Sequence, residues 1–276
     1  ALITSLQSNL IENTVGHSPQ VTVLSSRADV TIDNYTTLAN RVQAVSGVGA
    51  MAVSASGNAF LTNGSKVAPI LVRGFQFGQA DAIYHMLGAI YRGSAPSADS
   101  QILLGKDLSA EMGLTVGGSV TAITAFGGHT NLTVSGLFDL GVASLNEGWV
   151  MTSLAEAQTI FRYGDRVTSI EATVPAIFQA RTVAAAITQS LADPGVKVQN
   201  WMDQNAQLLS GLQAQSLSSN MIQAFILVSV VIAIASILSI TVLQKSWQIG
   251  ILKAMGIKDR DASLVFLYES MILGAA

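Results

Sequence analysis

The sequence predicts an α+β protein in which a folded outer domain is followed by a long helix that crosses a membrane. Three observations predict this class. Residues 224–243 form one apolar run without charge, proline or glycine. Two β-α-β patterns, in residues 20–75 and 167–203, bracket a β-rich insertion in residues 76–166. This arrangement predicts an outer domain with two lobes.

The apolar run AFILVSVVIAIASILSITVL, residues 224–243, is predicted to be a transmembrane helix. About 20 residues at a rise of 1.5 Å cross a hydrocarbon layer of roughly 30 Å. In lipid, a helix also lets the segment pair its own backbone groups. The alternative is a buried core helix, which usually needs only about 10–14 apolar residues and keeps a polar stripe. Residues 204–244 contain no Asp, Glu, Lys or Arg, so an uncharged stalk precedes the span.

The composition excludes some classes of function. Only 11% of the residues are charged, against about 25% in ordinary soluble domains. Residues 1–203 hold ten Lys or Arg and 14 Asp or Glu. This weakly acidic balance argues against a nucleic-acid partner, which would need clustered basic residues. The absence of Cys excludes disulfides and thiolate zinc sites.

The basic residues around the span predict its orientation. Four of them follow the span closely, in the zone that counts for the positive-inside rule, whereas the nearest one upstream is Lys197. We therefore expect residues 244–260 to be cytoplasmic and residues 1–203 to be extracytoplasmic. An outer domain needs a preceding span, so residues 1–19 are expected to extend from a first transmembrane helix that is missing from this sequence. The four basic residues are Lys245, Lys253, Lys258 and Arg260.

The first β-α-β pattern begins with a β-rich string at residues 20–24. Asp33 is predicted to cap a helix that ends at Gly47, and a second strand is expected at residues 49–56. The dipeptide Asn63-Gly64 predicts a hairpin between strands at residues 59–62 and 66–73. The predicted core face of the helix consists of Tyr35, Leu38, Val42 and Val45.

The second β-α-β pattern has a strand at residues 169–174, a helix from Pro175 and, after an Asp-Pro-Gly turn, a strand at residues 196–200. The two patterns together predict a split, ferredoxin-like lobe. The predicted core face of this helix consists of Ala180, Val183, Ala184, Ile187 and Leu191.

The insertion is predicted to hold a helix at residues 81–91 and a hairpin around Gly127-Gly128, between strands at residues 119–126 and 130–138. Ser153 and Glu156 have the spacing of a capping box for a helix that continues through Phe161.

No side-chain pattern in the sequence predicts catalysis or a cofactor site. His17, His85 and His129 are scattered, and none has the second ligand at helical spacing that a metal pair needs. The string Leu-Gly-Lys-Asp at residues 104–107 resembles the end of a phosphate loop, but Asp107 replaces the Ser or Thr that would hold magnesium. We therefore expect no catalytic, cofactor-binding or metal-binding residues in this chain.

The string KSWQIGILKAMG, residues 245–256, predicts a short amphipathic helix. Trp247, Ile251, Ala254 and Met255 share one face, which could lie on the membrane surface or fill a partner's groove. The segment could also be a simple connector. Residues 261–276 become apolar again, which makes residues 244–260 a tight turn between two spans and places Glu269 in the second.

The string KSWQIGILKAMGIKDRD, following a span and a large domain, resembles the MacB/LolC/FtsX-type permease family of ABC transporters. The strings ILLGKDLSAEMGLTVGGSV, LTVSGLF and IGILKAMG are similar to recurring family segments, and the last is the most specific. The family pattern has four spans; this sequence lacks the first and the fourth and most of the third.

The resemblance implies that this chain is not an enzyme and that ATP and Mg²⁺ bind a separate or fused ATPase subunit. It also implies a second permease copy in a homodimer or heterodimer, contact with membrane lipid and a possible extracytoplasmic partner. The residues implied to couple to the ATPase are Lys245, Trp247, Ile249, Gly250, Ile251, Leu252, Lys253, Ala254, Met255 and Gly256. Gly211 is the implied hinge of the stalk, because glycine weakens a helix by about 1 kcal/mol relative to Ala.

Three functions remain open at this point. The first is a permease that uses mechanotransmission to export or extract an amphiphilic substrate such as a drug, a peptide or a lipoprotein. The second is signalling to an outer partner, such as a cell-wall hydrolase, without transport. The third is a membrane-anchored enzyme or structural module.

Overall fold

Strands and helices alternate along the first three-quarters of the chain, and one long helix follows them. The computed structural model describes residues 18–27, 30–125 and 127–256, and the single residues 261, 264, 267, 268 and 271 beyond. Within the long helix, the side chains at positions 208, 212, 213, 216, 248, 249, 252 and 253 lie outside this description. The chain divides into two units, one reaching Leu209 and one beginning at Ser210.

The described part of the first unit contains ten strands in one connected sheet. They are β1 (Val21–Ser25), β2 (Met51–Asn63), β3 (Lys66–Phe75), β4 (Ile90–Gly93), β5 (Gln101–Gly105), β6 (Ser119–Thr124), β7 (His129–Phe138), β8 (Trp149–Ser153), β9 (Ser169–Ala172) and β10 (Val196–Asn200).

The helices lie between and after these strands. They are α1 (Tyr35–Gln43), α2 (Phe77–Tyr84), α3 (Lys106–Met112), α4 (Ala143–Gly148), α5 (Leu154–Ile160), α6 (Ala180–Leu191), α7 (Trp201–Gln204) and α8 (Ala206–Ala254), and a 3-10 turn covers Ile177–Gln179.

Four strands form a layer in the order β10-β1-β9-β2, in which all neighbours are antiparallel. Val21 of β1 lies opposite Asn200 of β10 on one side and Ala172 of β9 on the other. One apolar core joins this layer to α1 and α6. All five residues of the predicted α6 face are buried, as are Leu38 and Val42 of α1.

β2 continues beyond the layer and pairs with β6, and this pairing closes a ring with all the remaining strands except β4, which pairs with β7. The ring runs β2-β3-β8-β5-β7-β6 and returns to β2, and its interior holds a second apolar core. β2 therefore belongs to both parts. It pairs with β9 through residues 51–54 and with β6 through residues 59–62.

The prediction of two separate strands at residues 49–56 and 59–62 is wrong, since β2 is continuous through both. Gly57, at the centre of the strand, does not interrupt it. A Cβ atom at this position would lie 2.5 Å from the ring of Phe161, so glycine lets that ring pack against the backbone. The predicted hairpin to β3 is present, with Asn63 opposite Lys66.

Two other local predictions are wrong. Asp33 does not cap α1; the residue before the helix is Asn34, with φ of 50° and no side-chain cap, and Asp33 lies 3.8 Å from Arg166. The helix predicted at residues 81–91 ends at Tyr84, because His85 adopts a left-handed backbone and Ile90 begins β4.

The capping box at α5 forms in one direction only. The Ser153 hydroxyl accepts a hydrogen bond from the Glu156 amide at 3.1 Å, as predicted. The Glu156 carboxylate accepts from the Ser100 amide instead of the Ser153 amide. The hairpin of β6 and β7 is present, although Phe126, predicted to end its first strand, lies outside the described residues.

Candidate functional site

The long helix α8 carries the apolar run that the sequence predicts to be a span. Its residues Leu217–Trp247 have a mean hydropathy of 2.8, and none of the most apolar window is buried. Among the described residues, α8 alone is long and apolar enough to cross a membrane. A soluble core helix would be covered by other elements, whereas these side chains are exposed.

The hydroxyl side chains of the apolar run are satisfied within the helix. Ser229, Ser236 and Ser239 each donate a hydrogen bond to the carbonyl four residues earlier, at 2.8–2.9 Å. Thr241 does the same at 2.9 Å. Because unpaired polar groups are costly in hydrocarbon, this pairing suits a lipid environment.

Residues 245–254 of the predicted docking segment are part of α8, and Met255 and Gly256 follow it. The sequence predicted a stalk and span over residues 204–243 and a short amphipathic helix in residues 245–256; in the structure one helix runs through both, from Ala206 to Ala254. The helix ends at Ala254, and two residues later Gly256 has a φ of +90°, a backbone conformation that favours glycine. The segment is therefore an extension of the span.

The described side chains of this segment form an exposed apolar face. Trp247 and Met255 are 77% and 75% exposed, and Ile251 between them is also exposed. Their spacing of four residues places them on one side of the helix. Lys245 is half-buried, and Gly250, Ala254 and Gly256 are exposed. The side chains of Ile249, Leu252 and Lys253 lie outside the described residues, as do Glu269 and residues 1–17 with His17.

The N-terminal end of α8 follows Trp201, a buried residue. The Trp201 side chain is 5% exposed, and its indole Nε1 donates a hydrogen bond to the Ile177 carbonyl at 2.7 Å. Its ring meets Phe178 edge to face, with 6.0 Å between centroids. We refer to Ile177, Phe178, Trp201, Asn205 and Leu209 as the root of α8.

An exposed ion pair flanks this root. The Arg181 guanidinium donates to one Asp203 carboxylate oxygen from two nitrogens, at 2.7 and 3.0 Å. The Asn200 amide donates to the other oxygen at 2.7 Å. The hydrogen bonds from Arg181, and then from Asn200, lower the pKa of Asp203 below its ordinary value.

A second, buried ionic cluster lies where the layer meets the ring. Arg73 of β3 forms an ion pair with Glu171 of β9. Tyr84 accepts from Arg73 at 3.1 Å and donates to Glu171 at 2.6 Å. The Arg73 guanidinium carbon lies 4.5–5.2 Å from the ring centroids of Phe75, Tyr84 and Trp149. Burial, and then the charge of Glu171, raise the pKa of the Tyr84 hydroxyl.

The sequence analysis did not find this buried cluster. A signal was present, because Arg73 follows the apolar residues 67–72 and Glu171 lies between Ile170 and Ala172. Such charges are seldom buried without a partner. Their pairing depends on strand order, however, and the two residues are 98 positions apart in the chain.

Other residues considered in the sequence analysis are dispersed. His85 and His129 belong to different elements, and among the described residues no three His, Asp or Glu side chains gather as a metal site would require. Lys106 of the Leu-Gly-Lys-Asp string lies 3.3 Å from Asp139. Gly211 lies within α8, with open space around the position that a Cβ atom would take.

Comparison with known proteins shows which families and proteins this chain resembles. Residues 220–276 match the FtsX-like permease C-terminal family model. The lipoprotein-releasing system transmembrane protein LolC of Xylella fastidiosa (strain 9a5c) is 26% identical over 226 residues, which cover 78% of this chain and 54% of that protein. The protein of the same name from Neisseria meningitidis serogroup B is 24% identical over 245 residues, covering 83% of this chain and 58% of that protein.

Two solved structures resemble the chain. The extracellular domain of the ABC-type transporter YknZ from Gram-positive bacteria has a TM-score of 0.48 at 13% identity, and the match covers 65% of this chain and 99% of that one. The periplasmic region of MacB from Actinobacillus actinomycetemcomitans has a TM-score of 0.47 at 11% identity, covering 73% and 98%.

The exposed apolar helix and the α/β unit before it are features of a membrane protein with a folded domain. The match of residues 220–276 to the family model and the similarity to LolC show that the chain resembles ABC transporter permeases of the FtsX/LolC type. The chain spans just over half the length of the LolC relatives that it matches.

Proposed function

We propose that this chain belongs to a permease subunit that works by mechanotransmission. A partner ATPase would bind ATP and Mg²⁺ and move the inner end of α8, and the helix would carry that movement to the outer unit. A second copy of the permease would complete the transporter. In this assignment, the chain's own residues transmit force and catalyse no reaction.

The observation that carries this proposal is the continuity of α8. The helix has 49 residues without a break, which correspond to roughly 73 Å at 1.5 Å per residue. A bilayer core takes roughly 30 Å of that length. The remainder allows one helix to reach both a cytoplasmic ATPase and an outer domain.

The exposed face of Trp247, Ile251 and Met255 is the proposed docking surface for the ATPase. An amphipathic helix that lays such a face into a groove is a common mode of recognition. The other residues of the proposed coupling segment are Lys245, Ile249, Gly250, Leu252, Lys253, Ala254 and Gly256. Gly211 remains the proposed point of bending in the stalk, since it is the only glycine between Ala206 and Lys245.

We also infer the domain limits of the outer unit. Numbered by themselves, the four strands of the layer have the order 4-1-3-2 with two β-α-β connections, which supports a ferredoxin-like lobe within residues 20–75 and 167–203. β3 lies inside these limits but pairs with β8 and belongs to the ring. Residues 76–166 form the inserted lobe, and residues 204–243 the stalk and span. Residues 1–203 would be extracytoplasmic, and residues 244–260 cytoplasmic.

The proposed activity is the export or extraction of an amphiphilic substrate across or from the membrane. The names of the LolC relatives support a lipid-anchored protein as the first substrate to test. Signalling to an extracytoplasmic partner is the second candidate. The match of residues 220–276 to the FtsX-like model supports signalling and transport equally, because that match does not cover the first unit.

The test substitutes Ile251→Asp in the full-length permease, assembled with its ATPase in nanodiscs. A buried unpaired carboxylate should weaken docking at least about tenfold and abolish stimulation of ATP hydrolysis by the permease. Ser246→Asp adds the same charge next to this face and should leave stimulation intact. Wild-type stimulation in Ile251→Asp would overturn the docking assignment.

A second assay distinguishes transport from signalling. Proteoliposomes that carry a fluorescent lipid-anchored protein should release it only with ATP, and the Ile251→Asp variant should not. ATP-driven movement of the outer unit with no release of this probe would favour signalling instead.

A further inference from the structure

We propose that Trp201 is the positioning residue that joins α8 to the four-stranded layer, so that a movement of the helix moves the sheet. This inference rests on the proposed mechanotransmission and names the place in the first unit where force is received. It concerns residues up to Leu209 only.

Trp201 is held on three sides. Its indole Nε1 donates to the Ile177 carbonyl, and its ring packs edge to face on Phe178, which ties it to the turn before α6. Its backbone amide donates to the Gln20 carbonyl at 3.0 Å, which ties it to the start of β1. Tryptophan suits this position because it combines a large apolar surface with one directed donor.

The same residue also holds the first turn of α8. The Trp201 carbonyl accepts hydrogen bonds from the Asn205 amide at 3.0 Å and from the Asn205 side chain at 2.8 Å. The Asn205 carbonyl in turn accepts from the Leu209 amide at 3.0 Å. Leu209 packs against the core of the layer, so the root is fixed at both its beginning and its first full turn.

Trp201 lies where β10 ends and beside the point where β1 begins, so its contacts connect α8 to both strands. β1 and β10 are neighbours, and Val21 lies opposite Asn200. The chain therefore comes into the sheet and leaves it at the same end, and Trp201 contacts both strands' terminal backbone. A movement of Trp201 therefore moves β1 as well as the edge strand β10. Because β1 lies between β10 and β9, the movement reaches the interior of the layer.

The experiment measures ATP hydrolysis and the resulting movement of the first unit separately. The full-length permease, assembled with its ATPase in nanodiscs, carries a donor fluorophore at Ser65→Cys, in the exposed β2-β3 turn. Acceptor lipids in the nanodisc report the distance of that turn from the membrane. The chain contains no native Cys, so labelling of this chain is specific. ATP hydrolysis is the input, and the ATP-dependent change in energy transfer is the output.

Trp201→Leu should keep ATP hydrolysis within about twofold of wild type, a factor that corresponds to less than 1 kcal/mol, and lose most of the change in energy transfer. Trp201→Phe keeps the ring contact with Phe178 and should retain more of that change than Trp201→Leu. Tyr91→Leu removes an exposed aromatic side chain elsewhere in the unit and should leave the change intact. A full change in Trp201→Leu would overturn the proposal.

Hydrogen exchange distinguishes failure of this inference from failure of the proposed function. In Trp201→Leu, the amides of Asn205 and Leu209 should exchange about tenfold faster, while the amides of β9 stay protected. If wild type shows no ATP-dependent change in energy transfer, mechanotransmission fails, and exchange alone decides whether Trp201 holds the root. Unchanged hydrogen exchange at the amides of Asn205 and Leu209 would then overturn the proposed role of Trp201 as well.

Discussion

Two arginine–carboxylate pairs in the first unit have the same chemistry and opposite surroundings. The side chains of Arg73 and Glu171 are 9% and 5% exposed, whereas those of Arg181 and Asp203 are 62% and 57% exposed. The first pair lies among aromatic rings and joins β3 of the ring to β9 of the layer. The second lies in water beside the root of α8.

The difference teaches how burial changes the role of an ion pair. Removing one partner from a buried pair leaves an uncompensated charge in a medium of low dielectric, which is strongly destabilising. An exposed partner is solvated by water and screened by salt, so its loss changes little. Arg73 and Glu171 therefore fix how the ring and the layer are joined, whereas Arg181 and Asp203 form a surface pair that contributes little to stability.

The largest expected effect comes from Arg73→Met, which leaves Glu171 buried without its cation. We expect the free energy of unfolding to fall by about 3–5 kcal/mol, as measured by urea unfolding of the detergent-solubilised chain. Arg181→Met removes the same kind of side chain from the exposed pair and serves as the matched control. Equal losses in the two variants would remove the distinction between the pairs.

A double substitution sharpens this prediction. Arg73→Met combined with Glu171→Leu removes both charges, so it should regain part of the stability that Arg73→Met loses. If the double variant is less stable than either single variant, the cluster contributes through packing and not through its charges.

Tyr84→Phe should have an intermediate effect. It keeps the ring beside Arg73 but removes the hydroxyl that donates to Glu171 at 2.6 Å. Loss of one donor to a buried carboxylate should lower the free energy of unfolding by about 1–3 kcal/mol. Tyr163→Phe removes a part-buried hydroxyl that donates to a neutral acceptor, the Ser56 carbonyl, and it should lower stability less. A larger loss in Tyr163→Phe would contradict the special place of the cluster.

The sequence predicted the local elements better than their pairing. The α6 face followed from helical spacing, and the β2-β3 turn from Asn63-Gly64, because both depend on neighbouring residues. The closed ring could not be predicted, since it depends on β2 reaching β6 some 60 residues later in the chain. Gly57 lies between the two strands that were predicted, and in the fold it allows the Phe161 ring to approach the backbone of β2 closely.

The candidate site shows the same division. Apolar length alone predicted the span, and helical periodicity predicted the face of Trp247 and Ile251. The predicted span ends where charge resumes at Lys245, but a charged residue does not end a helix, and no Pro or Gly interrupts residues 243–249. Trp201 and Arg73 were missed because their roles arise from contacts with Ile177 and Glu171, which only the tertiary fold brings near.

The smallest expected effect comes from Arg181→Gln, which removes the cation of the exposed pair. The midpoint of urea unfolding at pH 7 should stay within error of wild type, because both side chains are largely solvated. Since hydrogen bonds from Arg181 lower the folded-state pKa of Asp203, any stabilisation by this pair is present above the unfolded pKa of about 3.9 and is lost as pH falls through the folded value. Wild type and variant should therefore keep a constant small difference between pH 6 and pH 8 and converge only in acid, below about pH 4. Unfolding midpoints measured across this range test the sign, and a difference that grows on acidification would show that Arg181 stabilises the root through something other than the Asp203 carboxylate.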